Sequence, residues 1–513
     1  MAVKTTTKAL SLVTVLMLVT RLLGFVREMV IAHSFGATYQ TDAFNMAISI
    51  AFVVTMIISA GVATVIIPMY NHKKEEVSKE HADIFASNIL WIFSFLYLVV
   101  SILGIVFAPT LVRIFAPSFD ESAFALTVII VRIMLVFTVA FNISNFLTAI
   151  LQIYQKFTIT VVAQFPFSLF TIFFVIFLTG QLGIYALVIS YILFLVVQAL
   201  MLIISARKVF KFARIFSFRN GDFGEVVKLS LPIYLSVGIW DINIIIDRIL
   251  ASGLPEGSIT AINFAQRLRD LPVGVIAAAV WAVVFPLLAK QAANKEFDQL
   301  KATAVRFVKM LAFAFMPIVM ISMFFPMDIT RIVYERGEFG AAETLLTGNI
   351  FFFMAASMLF ISCTTLLNNA FFSIKDTKTP LISGIVSVVF NIGLNIVLVR
   401  YMEAAGLALA TTVASAVGFF VSFALFRRKF GAFGGLALAK NIGKCVIACT
   451  AMVPVLLLFE LLRDRLPLLI FFAAASVVSL GVYALILYLL KADLFVEMTD
   501  RVFGTVKSKI KKN

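Results

Sequence analysis

The chain has 513 residues, 62% of them hydrophobic and only 13% charged, with a formal net charge of +15. A soluble globular domain is nearer half apolar and a quarter charged, so this composition and a mean hydropathy of +1.06 exclude a soluble fold. Apolar blocks recur to the end of the chain, and about 20 such residues cross the hydrocarbon core as a helix, so the sequence reads as an all-α polytopic membrane protein.

The first block is ALSLVTVLMLVTRLLGFVREMVIAH, residues 9–33. Lys4 and Lys8 ahead of it give the look of a signal peptide, but no small-residue cleavage site follows and the apolar run continues past Arg21. It is read as the first of fourteen transmembrane helices, centred near residue 21, with the last near 479. With the N-terminus inside, inward loops and tails hold most of the 42 Lys and Arg, among them Lys73, Lys74, Arg207, Lys208, Arg427 and Arg428. That asymmetry predicts both termini in the cytoplasm and turns the basic excess into a topology signal, not a nucleic-acid site. Cys363, Cys445 and Cys449 fall inside apolar runs without metal spacing and read as small core residues. The three histidines, His33, His72 and His81, show no catalytic or metal spacing, and no GxxxxGK[ST] phosphate loop occurs. A cofactor is not expected.

The chain resembles itself. VIIPMYNHKKEE at the end of span 2 matches VVFPLLAKQAANKE at the end of span 8, with Pro68 against Pro286, an offset of 218 residues. RIFAPSFDESAFAL and RIVYERGEFGAAETLL match at the same offset. Each repeat holds six spans, so the halves have parallel orientation. The expected architecture is two six-helix bundles related by a pseudo-two-fold along the membrane normal, with a pathway between them, plus two C-terminal helices. The boundaries are an N-terminal bundle over 1–206, a basic cytoplasmic linker over 207–227, a C-terminal bundle over 228–428, helices 13 and 14 over 429–492, and a basic amphipathic cytoplasmic tail over 493–513.

Charges inside spans are the candidate functional residues, because a central Arg or Asp costs about 2.5–3.5 kcal/mol on insertion scales and so usually faces an interior or watery space. Span 1 has Arg21, Arg27 and Glu28; the corresponding start of span 8, INFAQRLRDLP, has Arg267, Arg269 and Asp270. Snorkelling at the outer end is the alternative for Arg27 and Glu28. Each repeat thus brings two arginines and one carboxylate, a set whose planar guanidinium forks suit phosphate or diphosphate. A second set comprises Asp247 in span 7, Asn391 and Asn395 four apart in span 11, and Thr411 early in span 12. It reads either as a site for a hard cation such as Na⁺ or as polar contacts between helices, with Asp241 a rival ion or proton ligand.

The segment TRLLGFVREMVIAHSFGATYQTDAF resembles the opening signature of the MurJ-type lipid II flippases, within the multidrug/oligosaccharidyl-lipid/polysaccharide exporter superfamily. The similarity continues through INFAQRLRDLPVGV, YERGEFGAAETLL and NNAFFSIKDTKTP. The resemblance implies a flippase of the bacterial cytoplasmic membrane, serving peptidoglycan and cell-wall biogenesis and hence cell shape. Its cargo would be lipid II, an undecaprenyl-diphosphate-linked glycopeptide, and its partners membrane lipids and other cell-wall synthesis proteins. It carries substrate-binding roles onto Arg21, Arg27, Glu28, Asp42, Arg267 and Asp270, and a sodium site onto Asp247, Asn391, Asn395, the Leu407 carbonyl and Thr411. Two departures stand out. Asn395 replaces a carboxylate ligand, and in span 2 VVTMIISAGVA puts Thr55, Met56 and Ala60 where many members have two arginines and a glutamate. That wall is expected to be less basic, with Arg269 compensating.

Three functions compete on the residues. A flippase for lipid II, or for another polyprenyl-linked glycan, uses the arginines directly. A cation-coupled drug antiporter would favour acidic cavities, and spans 1 and 8 contribute four arginines against two carboxylates. A membrane glycosyl or phosphoryl transferase would want acidic metal-binding loops, and the loops here are short and mostly basic. With no ATP motif, the expectation is a secondary-type transporter driven by membrane potential or by a Na⁺ or H⁺ gradient.

Overall fold

The computed structural model describes residues 2–493 other than 60, 61, 220, 433 and 434, and their side chains other than those of 2–11, 56–63, 231–242, 277, 278, 282 and 436. The amphipathic tail expected over 493–513 thus lies outside the described residues except for Asp493, and Asp241, Met56 and Ala60 lie outside the described side chains.

Apart from an isolated bridge between Arg336 and Phe339, the regular structure among the described residues is helical. The order is α1 (Ala2–Phe35), α2 (Tyr39–Ser59), α3 (Val62–Glu76), α4 (Lys79–Val106), α5 (Ala108–Phe115), α6 (Glu121–Val136), α7 (Thr138–Ile153), α8 (Phe157–Val162), α9 (Phe165–Leu182) and α10 (Tyr185–Ala206). After the linker come α11 (Asp222–Ala251), α12 (Ser258–Ala293), α13 (Phe297–Phe324), α14 (Pro326–Tyr334), α15 (Ala341–Ala355), α16 (Ser357–Ser373), α17 (Lys378–Phe430), α18 (Gly435–Glu460) and α19 (Leu468–Leu489). Where caps form, they follow residue chemistry. Ser78 Oγ accepts from the His81 amide at the start of α4, and Asp120 accepts from the Ala123 amide at the start of α6, satisfying amides that a helix leaves unpaired.

Among the described residues, seven helices are long and apolar enough to cross a membrane, and three further pairs meet the same test together across bends of 42–47°, for up to ten. Leu469, Val477 and Leu489 on α19 are 65, 69 and 64% exposed, a surface that only lipid would cover at no cost. α17 is two helices joined at Glu403, whose φ of 50° and ψ of −130° break the helical run. At the base of this hairpin Asp376 accepts from the Thr379 amide and hydroxyl and pairs with Lys429. Burial works to raise the Asp376 pKa, but these hydrogen bonds and the lysine charge outweigh it and hold the carboxyl at about 2.

The contacts divide the chain into two units: Met1–Phe264 with Tyr334–Glu343, and Ala265–Val333 with Thr344–Asn513. The first has a core where Tyr70, Phe85, Phe93, Phe146 and Leu202 meet, uniting α3, α4, α7 and α10. The second has a core of Phe325, Met452, Phe471 and Tyr483 around α13, α18 and α19.

Candidate functional site

The charged turn of α1 lies in the first unit. Arg27 and Glu28 are both buried, and Arg27 Nη2 donates to Glu28 Oε1 at 2.6 Å. The guanidinium carbon stands 3.9 Å from the centre of the Phe167 ring on α9, an attraction worth about 2 kcal/mol in a desolvated setting. Arg27 Nε is buried with no hydrogen-bond partner, so the guanidinium keeps an unmet donor. Arg21, nearly two turns earlier, is exposed. The structure therefore separates the two arginines by environment: one clamped, one open.

Asp42 sits in the first turn of α2 and is buried. Its Oδ2 accepts from the Gly257 amide at 2.8 Å, and its Oδ1 from the Thr260 amide at 2.8 Å and the Thr260 hydroxyl at 2.6 Å. The carboxylate caps the N-terminus of α12 from another helix, where unpaired amides and the helix dipole both favour negative charge. Around it, Asn45 Nδ2 donates to Thr260 Oγ1 at 3.1 Å, the Tyr39 amide to Glu256 at 2.8 Å, and the Glu338 amide to the His33 carbonyl at 2.9 Å. Gly257, at φ +83°, and Gly337, at φ +62°, make this possible: a Cβ at either would collide with the Ala37 or His33 backbone. Arg248 on α11 donates to Asn263 on α12 at 2.8 Å.

Arg267, Arg269 and Asp270 belong to the second unit. Arg267 and Asp270 are exposed, and Arg269 is half-buried. Arg269 grips Asp270, with Nε and Nη2 each 2.8 Å from Oδ1. In α1 and in α12 alike an arginine is held on an adjacent carboxylate, Arg27 on Glu28 and Arg269 on Asp270, with one exposed arginine beside each pair.

The candidate ion ligands divide between the units. Asp247 is in the first, where Asn243 Nδ2 approaches its Oδ2 at 3.4 Å. Asn391, Asn395, Leu407 and Thr411 are in the second. Asn395 donates to Asn391 Oδ1 at 2.8 Å, both buried, and the Thr411 hydroxyl donates to the Leu407 carbonyl at 2.9 Å. Two contacts set the register of the α17 hairpin. Ser387 Oγ donates to the Ala414 carbonyl at 2.8 Å, and Gly406 lies so near Leu398 that a Cβ there would strike its carbonyl. That register lays the stretch with the two asparagines alongside the one with Leu407 and Thr411.

In α2 the departure at Thr55 is accommodated locally. Its buried hydroxyl bonds back to the Ala51 and Phe52 carbonyls at 2.9 Å, and its own carbonyl accepts from Tyr97 at 2.9 Å. Phe167 and Thr260 are the residues at these sites that sequence reasoning did not single out.

A family model described as lipid II flippase MurJ matches residues 31–489. The chain is 28% identical over 432 residues, 82% of its length and 84% of the relative's, to "Probable lipid II flippase MurJ" of Buchnera aphidicola subsp. Acyrthosiphon pisum. It is 26% identical over 453 residues, 85% and 86% of the two chains, to the protein of the same description from Rickettsia prowazekii. Among solved structures it resembles "Lipid II flippase MurJ, inward closed conformation" with a TM-score of 0.80 at 23% identity, covering 94% of this chain and 99% of that one. It also resembles an inward-facing multidrug resistance MATE family transporter of the MOP superfamily, with a TM-score of 0.67 at 16% identity over 82% and 96%. The last two likenesses concern the fold. A family model that matches residues 31–489, well over half of the sequence and including the charged turn of α12, means that this chain belongs to the lipid II flippase MurJ family.

Proposed function

We propose that the chain is a lipid II flippase, moving the undecaprenyl-diphosphate-linked peptidoglycan precursor from the inner to the outer leaflet of the bacterial cytoplasmic membrane. The observation that carries this reading is Arg27: a buried guanidinium in an apolar span, held by one carboxylate and one aromatic ring, with a donor still unmet. Arg21, Arg27, Arg267 and Arg269 receive the diphosphate, whose oxygens match the guanidinium fork. Glu28 and Asp270 hold their neighbouring arginines when no cargo is bound and displace phosphate again at release. The polyprenyl tail stays in lipid throughout.

The reading includes fourteen spans in two six-helix repeats with two further helices, both termini in the cytoplasm, and transport in place of catalysis. Direction then comes from the membrane potential, worth about 2.3 kcal/mol per charge per 100 mV, or from an ion gradient. Asp247, Asn391, Asn395, the Leu407 carbonyl and Thr411 are the proposed Na⁺ ligands, a set of hard oxygens with one net charge. Asp247→Ala removes Na⁺ dependence from transport if so; unchanged dependence takes Asp247 out of the site.

The same chemistry at the arginines accepts any polyprenyl diphosphate, and the neutral Thr55 wall keeps a related glycan as the second reading. Depletion in the native cell separates them. Lipid II accumulating on the inner leaflet is expected, and accumulation of a different lipid-linked glycan with normal lipid II turnover reverses the order.

A further inference from the structure

The linker after α10 reads RKVFKFARIFSFR over 207–219, five cations and no acid interleaved with phenylalanines. It runs non-helically along α4, where Asp83, Ser87, Asn88 and Trp91 fall on one helical face by their spacing. These four side chains hold its backbone. The Lys211 amide donates to Asp83 at 3.2 Å and the Ala213 amide to Ser87 at 2.9 Å. Asn88 takes Ser217 by both groups, accepting from its amide at 2.7 Å and donating to its carbonyl at 2.9 Å. Trp91 Nε1 donates to the Ala213 carbonyl at 3.0 Å. An extended segment is thus strapped to a membrane helix through its main chain; Phe210 is buried in the core of the first unit, while Arg214 and Phe216 stay exposed at the surface.

Beside the strap opens a groove of about 510 Å³, lined by Trp91, Phe95 and Leu98 of α4, Val139 of α7 and Phe216, with Arg214 as its one charged residue. That volume lies within the roughly 300–1,000 Å³ of ordinary ligand pockets. Trp91, Phe95 and Leu98 are all exposed, and among the described residues Arg214 makes no ion pair. Position supplies the rest. α4 has 28 residues, about 42 Å against a core of about 30 Å. With the excess of about 12 Å at the charged end, residues 79–86 project, which puts Trp91 about 7 Å inside the boundary and Leu98 well inside. Tryptophan at that depth is the usual interfacial arrangement.

We propose that this groove binds an anionic phospholipid, its phosphate on Arg214 and one acyl chain along Phe95 and Leu98, and that the lipid fixes the linker against α4. The segment's five cations without an acid select a lipid with net negative charge over a zwitterionic one. The site is separate from the cargo arginines and stands whether or not the cargo is lipid II.

Trp91 reports on it directly. A chain carrying Trp240→Phe and Trp281→Phe keeps only Trp91 as a fluorophore. It is placed in phosphatidylcholine vesicles containing equal mole fractions of either brominated phosphatidylglycerol or brominated phosphatidylcholine. The proposal expects about fivefold preferential quenching by the anionic lipid, the equivalent of ~1 kcal/mol for one basic side chain at a lipid surface. Arg214→Gln abolishes the preference, and Arg219→Gln, on the same segment but not lining the groove, leaves it. Equal quenching by both lipids means an ordinary annular lipid, and equal loss in the two variants means a diffuse basic surface; either overturns the proposal. If the single-tryptophan chain does not insert, the same comparison is made by native mass spectrometry of lipid retained by the wild-type and Arg214→Gln chains. Equal retention of phosphatidylglycerol then has the same force.

Discussion

Burying a charged guanidinium is costly unless it is paired, and Arg27 shows how that cost is offset one atom at a time. Glu28 meets Nη2, the Phe167 ring meets the flat face, and Nε is left unmet. Asp42 is satisfied in a different way, by three donors at the head of α12. Asp42→Ala leaves the Gly257 and Thr260 amides buried without an acceptor, which should loosen this junction by on the order of 3 kcal/mol. Hydrogen exchange at residues 256–262 should rise sharply in the variant, and unchanged protection there would mean that the cap contributes nothing. Arg21, Arg27 and Glu28 were legible because charge stands out in an apolar run. Phe167 and Thr260 were not, since one phenylalanine among 54, or one threonine near a helix start, carries no mark of its distant partner.

At the level of the element, α17 shows which features a sequence reveals and which it hides. Spans 11 and 12 were read as separate helices, and the structure turns the chain between them at Glu403. Its strain was invisible: Glu403 occupies a backbone region suited to glycine. Glu403→Gly is expected to stabilise the protein by about 1 kcal/mol, by relieving a conformation that costs of order 1–3 kcal/mol while adding freedom to the unfolded chain. Thermal unfolding in detergent reads the change, and a lower midpoint would show that the glutamate side chain earns its place by contacts. The bends between α6 and α7 and between α15 and α16, 47° and 42°, were equally hidden. They fall at Phe137 and Ala356, with no proline or glycine at the break to announce them.

For the whole molecule, composition alone decided the helical membrane class, and the internal match at Pro68 and Pro286 found two prolines that both lie within helices, in α3 and α12. The contact units cut across that repeat: residues 334–343, from the second half of the sequence, belong with α1 and α2. Periodicity and charge cannot foresee such a division, because it depends on close backbone approaches at Gly36, Gly257 and Gly337. The central claim is that arginines of α1 and α12 take the diphosphate of lipid II. Its most direct test is the leaflet exposure of labelled lipid II in proteoliposomes containing wild type, Arg27→Ala or Arg267→Ala, with insertion verified for each. A lost charge-assisted contact of about 1.5–3 kcal/mol predicts flipping slowed roughly 10- to 100-fold in each variant. Wild-type rates in correctly inserted variants would contradict it.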